Sequence, residues 1–396
     1  VVSRKLLAAA VVLPLALAGC ASGGSDPEGP TELEGTFTVY ASLAVTGPLA
    51  GIAGANVAGL EAAAAAINAA GGIDGREVQI VVGDDGADPT KAATLLQEQL
   101  DSTEIDLVVA GNTSNVGLAL TPILSREEII STGQQAAIND PEAYPYHFSF
   151  VVPTKTQTQG MLEKVEAEGY EKVALLAAND ANGTAITDTY RALFEDAGID
   201  FVAESFAPTD VDMTAQLQRL QAEDPDVLIL SGLGAVAGYE LQSRTKLGWD
   251  IPTLGHTDMG TTDLAAVSTE ADWTNVELLT FHVMDTTSAR TAGFDELRTA
   301  LEDAGVTLDQ SFSQYAVMWD LLWVAKHVWE SVDSDDPADI KDAYESLDIR
   351  ADADSPYTFV PVIAYTADFH QLVIEPKDGI TFIKPGPYVD GLIDQG

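Results

Sequence analysis

The chain has 396 residues, 46% of them hydrophobic, with 62 acidic and 19 basic side chains and a formal net charge of −43. Such length and apolar content exclude a disordered polypeptide and allow a large core shared by two domains. The charge excludes a nucleic-acid partner, because binding phosphate needs clustered Lys and Arg. The acids come in short dispersed groups such as Asp333-Ser334-Asp335-Asp336 and read as a solvated, mutually repelling surface. None has the D-x-[DN]-x-[DN]-G spacing of a calcium loop.

Arg4 and Lys5 precede an apolar run, Leu6 to Leu17, that Pro14 interrupts. The run is too short and broken for a transmembrane helix and has the charge order of a secretory signal. It closes on Leu17-Ala18-Gly19-Cys20, and Cys20 is the only cysteine. The tetrad resembles the lipobox of bacterial lipoproteins, which implies cleavage before Cys20 and lipidation of its thiol and new amine. The alternative is an ordinary secretory signal with a chance cysteine. Residues 1–19 then form the signal peptide. Residues 20–35, rich in Gly, Ser, Pro and acid, form the lipidated cysteine and a flexible tether. No second apolar run reads as long enough to span a bilayer. The expected location is extracytoplasmic, anchored to the cell membrane by lipid.

From Thr36 onward, β-branched runs alternate with alanine-rich helical stretches. Phe37–Ser42, Val78–Val82 and Ile105–Ala110 read as strands, with helices at Ala53–Ala70 and Pro89–Leu100 between them. Asp88 is placed to cap the second helix and Pro89 to open it. The pattern restarts with a helix at Gly160–Glu168. Strands follow at Lys172–Leu176, Phe201–Ser205 and Val227–Leu230, and helices at Thr184–Ala197 and Met213–Ala222. This order predicts two α/β layers with parallel sheets, joined through Pro141–Pro153. Helices at Ala292–Ala304 and Phe312–Glu330 come next, the latter carrying Trp319, Trp323 and Trp329 as core residues. Tyr357–Tyr365 and Gln371–Glu375 read as late strands.

Signals for catalysis are sparse. His147, His256, His282, His327 and His370 stand far apart and form no paired metal spacing, so neither metal nor cofactor is expected. There is no G-x-S-x-G elbow and no phosphate loop with its Lys. Ser231-Gly232-Leu233-Gly234 lacks the full dinucleotide spacing and reads as a tight strand-to-helix turn. What recurs is small and hydroxyl-bearing residues just after strands: Gly111-Asn112-Thr113-Ser114-Asn115, Thr132-Gly133-Gln134-Gln135 and Asn179 to Gly183. In open parallel sheets such loops line the ligand crevice. A helix opening near Ser114 or Asn115 offers free N–H groups to a carboxylate, and plain helix capping is the simpler reading of the same residues.

Thr46-Gly47-Pro48-Leu49-Ala50-Gly51, Ile67-Asn68-Ala69-Ala70-Gly71-Gly72-Ile73-Asp74-Gly75-Arg76, Asp84-Asp85 and Asp88-Pro89 occur in that order. Together they resemble the first lobe of branched-chain amino-acid-type substrate-binding lipoproteins of ABC transporters, and the resemblance extends more loosely to the C-terminus. It implies the periplasmic-binding-protein type I fold: α/β, two doubly wound parallel-sheet lobes joined by a three-segment hinge, with the ligand clamped between them. The implied boundaries are 36–151 with 283–355 for lobe 1, and 152–282 with 356–396 for lobe 2.

By that resemblance Thr113, Ser114 and Asn115 hold a ligand carboxylate. Gly133, Gln134 and Gln135 occupy a loop that usually reads Ser-Pro-x-x-Thr, with Gln135 in place of the Thr. Asn182-Gly183 replaces a Tyr-Gly pair, and Leu233-Gly234 replaces an aromatic. The acid that pairs a ligand ammonium aligns with Thr257, next to Asp258. The candidate ligand-binding residues are therefore Thr113, Ser114, Asn115, Gly133, Gln134, Gln135, Asn182, Gly234 and Asp258, with Cys20 lipidated. The implied function is capture of a small polar ligand, an amino acid or a related amide or carboxylate, and delivery to an ABC importer. The partners are then the permease and ATPase subunits, and the chain is expected to be a monomer without enzymatic activity. A ligand-sensing receptor with the same clamp and a signalling partner is the alternative, and an enzyme on the same layers a third reading.

Overall fold

Thr36–Leu43 (β1) is buried at every position after Thr36, as befits a central parallel strand covered on both faces. The computed structural model of the protein describes residues 33–135, 138, 140–152, 154–286, 290–350, 352–358, 362–364 and 380–394. The Cys20 tetrad, the signal, most of the tether, His370 and the strand expected at Gln371–Glu375 lie outside the described residues.

After β1 come Ala50–Ala69 (α1), Glu77–Asp84 (β2), Pro89–Leu100 (α2), Leu107–Ala110 (β3), Ser114–Arg126 (α3), Ser131–Gly133 (β4) and His147–Ser149 (β5). Thr154–Glu168 (α4), Lys172–Ala178 (β6), Ala181–Ala197 (α5), Asp200–Phe206 (β7), Thr214–Gln221 (α6) and Val227–Ser231 (β8) follow. Next are Ala235–Leu247 (α7), Thr253–Gly255 (β9), Leu264–Val267 (α8), Val276–Phe281 (β10), Ala292–Asp303 (α9), Phe312–Trp329 (α10) and Pro337–Glu345 (α11). Asp348–Arg350 (β11), Val362–Ala364 (β12), Ile380–Ile383 (β13), Tyr388–Val389 (β14) and Leu392–Ile393 (β15) complete the described elements.

The first sheet runs β2-β1-β3-β4-β5, all parallel. The second runs β13-β10-β9-β8-β6-β7, parallel except for β13, which is antiparallel to β10. Apart from β13 the two sheets share one order, with successive strands added first on one side of the founding strand and then on the other. This makes a switch point between β1 and β3 and another between β6 and β8, where the connecting helices diverge to opposite faces.

Local chemistry explains the element ends. Asp88 accepts from the N–H groups of Thr90 and Lys91 at 2.8 and 3.1 Å, with Pro89 in the first turn of α2. Asp180 accepts from Gly183 N at 2.8 Å and starts α5 three residues before the expected Thr184. Helix α4 begins at Thr154 rather than Gly160. Its first turn is polar even where it is buried, at Thr154 and Gln157, so apolar periodicity cannot reveal it: Gln157 donates to the Val152 carbonyl at 2.6 Å, and Thr158 to that of Lys155 at 3.0 Å.

One expectation needs correction. Helix α1 is long and apolar enough to cross a membrane by length and composition. Its buried residues, among them Leu60, Ala63 and Ile67, pack in the core, and Asn56 donates to the Gln314 carbonyl on α10 at 2.9 Å. It is a core helix of this fold.

Helix α10 is the central pillar. Trp319 is fully buried, its Nε1 donates to the Pro356 carbonyl at 2.7 Å, and its ring lies 6.1 Å from that of Trp323. Trp329, on another face, meets Phe37 edge-on at 5.1 Å. The neighbouring Asp320 carboxylate accepts from the Thr358 N–H at 2.7 Å. At the C-terminus, Tyr388 donates to the Gly260 carbonyl at 2.8 Å, Asp390 pairs with Arg298 at 2.6 Å, and Gly391 accepts from Phe312 N at 2.7 Å. This hairpin ties the loop after β9 to the middle of α9 and the start of α10. Trp319→Ala removes both the ring and its hydrogen bond, and is expected to cost about 3–5 kcal/mol of folding stability in urea titrations.

Candidate ligand-binding site

Carboxyl-end loops of both sheets meet at a cavity of about 130 Å³, and the start of α10 closes its side. The first sheet contributes Asn112, Thr113, Ser114, Asn115 and Gln134; the second contributes Asp180, Asn182, Ser231, His256, Thr257 and Asp258. Ser313, Gln314 and Val317 come from α10. No Lys or Arg occurs among the described residues that line it.

Thr113 is the N-cap of α3, its Oγ1 accepting from Val116 N at 3.4 Å, while Gly117 N donates to the Thr113 carbonyl at 3.0 Å. The preceding N–H groups, of Ser114 and Asn115, have no intrahelical acceptor, which makes this end a natural seat for an anionic oxygen. Across the cleft, Asn115 Oδ1 accepts from Ala181 N at 3.3 Å, joining α3 to the start of α5.

Asp258 is the acid of the opposite wall. Its Oδ2 accepts from Asn182 Nδ2 and Ser231 Oγ, both at 3.0 Å, and lies 3.9 Å from His256 Nδ1. Its Oδ1 has no partner among the described residues, so one lone-pair edge remains for a cationic group. Burial lowers the pKa of His256, with Asp258 opposing, so the ring stays neutral at neutral pH. Thr257, beside it, donates to Gln157 Oε1 and completes the wall. Behind lies Glu240, fully buried against the Ser231–Gly232 turn, its carboxyl without a well-formed hydrogen bond. Burial first, and Asp258 second, push its pKa well above the usual carboxylate range.

The structure thus brings Thr113, Ser114, Asn115, Gln134, Asn182 and Asp258 to one cavity. Gly133, Gln135 and Gly234 are not in its wall. Gln135 is completely buried behind the loop after β3, where its Nε2 donates to the carbonyls of Ala110 and Gly111, and Gly133 packs against it. Gly234 starts α7 with a positive φ and faces Leu49, whose Cδ2 lies 3.7 Å from where its β-carbon would stand. Gly183 is fixed by close approach, since a β-carbon there would meet the Ala178 carbonyl oxygen at 2.0 Å.

Sequence reasoning missed the α10 residues, and also Gln157, His256 and an apolar wall of Phe150, Val152 and Phe281. Ser311, Ser313 and Gln314, polar residues at the start of a mostly apolar helix, were the available signal.

Two α/β units with matching strand order and a ligand-sized cavity between their switch points define the type I periplasmic-binding-protein fold. A family model described as periplasmic binding protein matches residues 39–373, and the chain belongs to that family. The leucine-, isoleucine-, valine-, threonine-, and alanine-binding protein of Pseudomonas aeruginosa is 26% identical over 240 residues, 59% of this chain and 64% of that protein. The chain therefore spans less than two thirds of the curated relatives it matches, at 64% and 61% of their lengths. Among solved structures, the branched-chain amino acid transporter substrate-binding protein LivJ of Streptococcus pneumoniae, in complex with isoleucine, is similar at TM-score 0.73 and 20% identity. That match covers 91% of this chain and 98% of LivJ. A solute-binding protein of an ABC transporter from Rhodopseudomonas palustris, in complex with benzoate, is similar at TM-score 0.73 and 18% identity, covering 88% and 93%. At these identities the structural likeness establishes the fold alone.

The proton on Glu240 has a measurable consequence. Its pKa in the fold lies above the ordinary value of about 4.3. The stability linked to that proton is therefore complete below about 4.3 and is lost as pH rises through the folded value. Glu240→Gln keeps the shape without the titration. It is expected to raise the melting temperature increasingly with pH and to change it little near pH ~4.

Proposed function

We propose that this chain is an extracytoplasmic solute-binding protein that clamps a small polar ligand and delivers it to an ABC importer. One observation carries this: the cavity lies between the two sheets and draws its wall from both, so a ligand there contacts both lobes and stabilises their closed arrangement. The α3 N-terminus suits a carboxylate, and the open Oδ1 of Asp258 suits an ammonium. An anion alone would face Asp180 and Asp258 with no cation in the wall, whereas an amino acid presents both charges in balance. The names of the P. aeruginosa and S. pneumoniae relatives support an amino acid or a related compound, and their being binding proteins supports a role without turnover.

Residues 36–151 with 283–355 then form lobe 1, and 152–282 with 356–396 form lobe 2, with hinge crossings near 151, 283 and 356. Lipid on Cys20 holds the clamp beside its permease. A diacylglycerol anchors durably where one acyl chain would not. The chain acts as a monomer, and permease and ATPase subunits are its partners.

A screen of amino acids, amides and organic acids is expected to give a thermal shift with one ligand class. The shift corresponds to about 2.7 kcal/mol at a hundredfold excess over Kd. Asp258→Asn is expected to weaken an ammonium-bearing ligand about 10–100-fold and to spare a neutral one. Absence of any shift, with no small molecule released from the denatured protein, would sink the solute-binding reading. Cys20→Ala is expected to move the expressed protein from membrane to soluble fraction; retention in the membrane would remove the lipid anchor.

A further inference from the structure

We propose that Asp180 and Asp258 together select the ligand of this cavity, and that the ligand is a basic amino acid whose second cationic group pairs with Asp180. The proposal rests on the solute-binding reading above and narrows its ligand class.

Both acids line the cavity. The Asp258 side chain is 21% exposed, and only its Oδ2 is engaged. Half-buried Asp180 accepts from Gly183 N through Oδ1 at 2.8 Å, and its Oδ2 has no partner among the described residues. Neither open oxygen is among the sealed, unpartnered polar atoms of the interior, so each remains accessible. Asn182, two residues beyond Asp180, donates to Asp258 at 3.0 Å and sets the start of α5 against the loop after β9. The two acids therefore share one wall. Neither has a Lys or Arg partner among the described residues, whereas Asp106, Glu204 and Asp212 elsewhere are each paired with one. His256, the other titratable side chain in the described wall, is kept neutral by burial and supplies no counter-charge.

The two helices that meet here have ends of opposite character. Helix α3 opens on a neutral cap, Thr113, and leaves the N–H groups of Ser114 and Asn115 for an anionic oxygen. At α5 the cap is a carboxylate, and the first N–H groups are already used: Ala181 N donates to Asn115 Oδ1 at 3.3 Å, and Gly183 N to Asp180. The α3 end thus receives a carboxylate, and the α5 end, backed by Asp258, receives cations. Phe150, Val152, Phe281 and Val317 give the same cavity an apolar stretch that suits a methylene stem.

The ligand class follows from charge. A neutral amino acid brings one cation to two carboxylates, and closure of the lobes then takes water from the second without replacing it. A lysine- or arginine-type ligand brings two cations and one carboxylate, each with a place in the wall. The field of a chain with a net charge of −43 also favours the arrival of a cation.

Calorimetric titration of the purified chain with matched pairs tests this: L-lysine against L-norleucine and L-arginine against L-citrulline, with L-leucine, L-glutamate and cadaverine alongside. The preferred basic amino acid is expected to bind about 10-fold or more tightly than its neutral counterpart, by a margin that shrinks as salt is raised. Asp180→Asn keeps a capping residue and removes the charge. It is expected to abolish the preference with the circular dichroism spectrum unchanged. Asp180→Ser, likewise a cap, repeats the test should the first variant fail to fold. Tightest binding of a neutral or acidic amino acid, or a basic preference that survives in the Asp180 variants, would overturn the proposal and leave the solute-binding reading standing. Cadaverine binding more tightly than lysine would do the same, since the α3 end would then hold no carboxylate. Binding of nothing in the set overturns the proposal too. The solute-binding reading falls with it only if the denatured protein also releases no small molecule.

Discussion

Strand order is the constraint on which the rest of this molecule depends. Right-handed crossovers send the helices before and after a switch point to opposite faces of the sheet. The carboxyl ends of β1 and β3, and of β6 and β8, are thereby left uncovered. Loops there need not pack beneath a helix, so they can carry Asn112, Ser114, Asn182 and Ser231 at little cost to the core. Because both sheets share the order, the two openings face each other, and one cavity uses both.

That cavity is electrostatically unlike the surface around it. The chain carries a net charge of −43, yet nothing in the described wall is cationic. Asp258 is held by a neutral amide and a hydroxyl instead of an ion pair, and burial pushes the pKa of Glu240 behind it well above the usual carboxylate range. Attraction for an anionic group comes from backbone N–H groups at the start of α3, which act only at short range. Charge balance therefore has to arrive with the ligand.

The residues that carry the family resemblance mostly build the scaffold. Asn68 makes a two-way bond with the backbone of Val78, at 2.8 and 3.0 Å, and closes the turn after α1. Arg76 pairs with Asp106 at 2.6 Å and covers the Phe37 ring. Asp84 holds Thr46 through its hydroxyl at 2.8 Å, and buried Asp85 accepts from Ser42 at 2.8 Å. These contacts place the loops without meeting the cavity. They identify the fold, and leave the ligand to other positions.

The sequence by itself determined the alternating strands and helices, the Asp88 cap and the loop containing Thr113 to Asn115, because periodicity and capping are properties of neighbouring residues. It also placed Asp258 beside the aligned position, where the structure puts it in the wall. Only the tertiary structure decided which polar side chains of those loops face the cavity. Gln134 does and Gln135 does not, since the chain turns between them and Gln135 is drawn back to the carbonyls of Ala110 and Gly111. Only the fold, too, brings the start of α10 to the site. Asn56 and Gln314 stand 258 residues apart in sequence and within hydrogen-bonding distance in space, a proximity created by helix packing that no local pattern encodes.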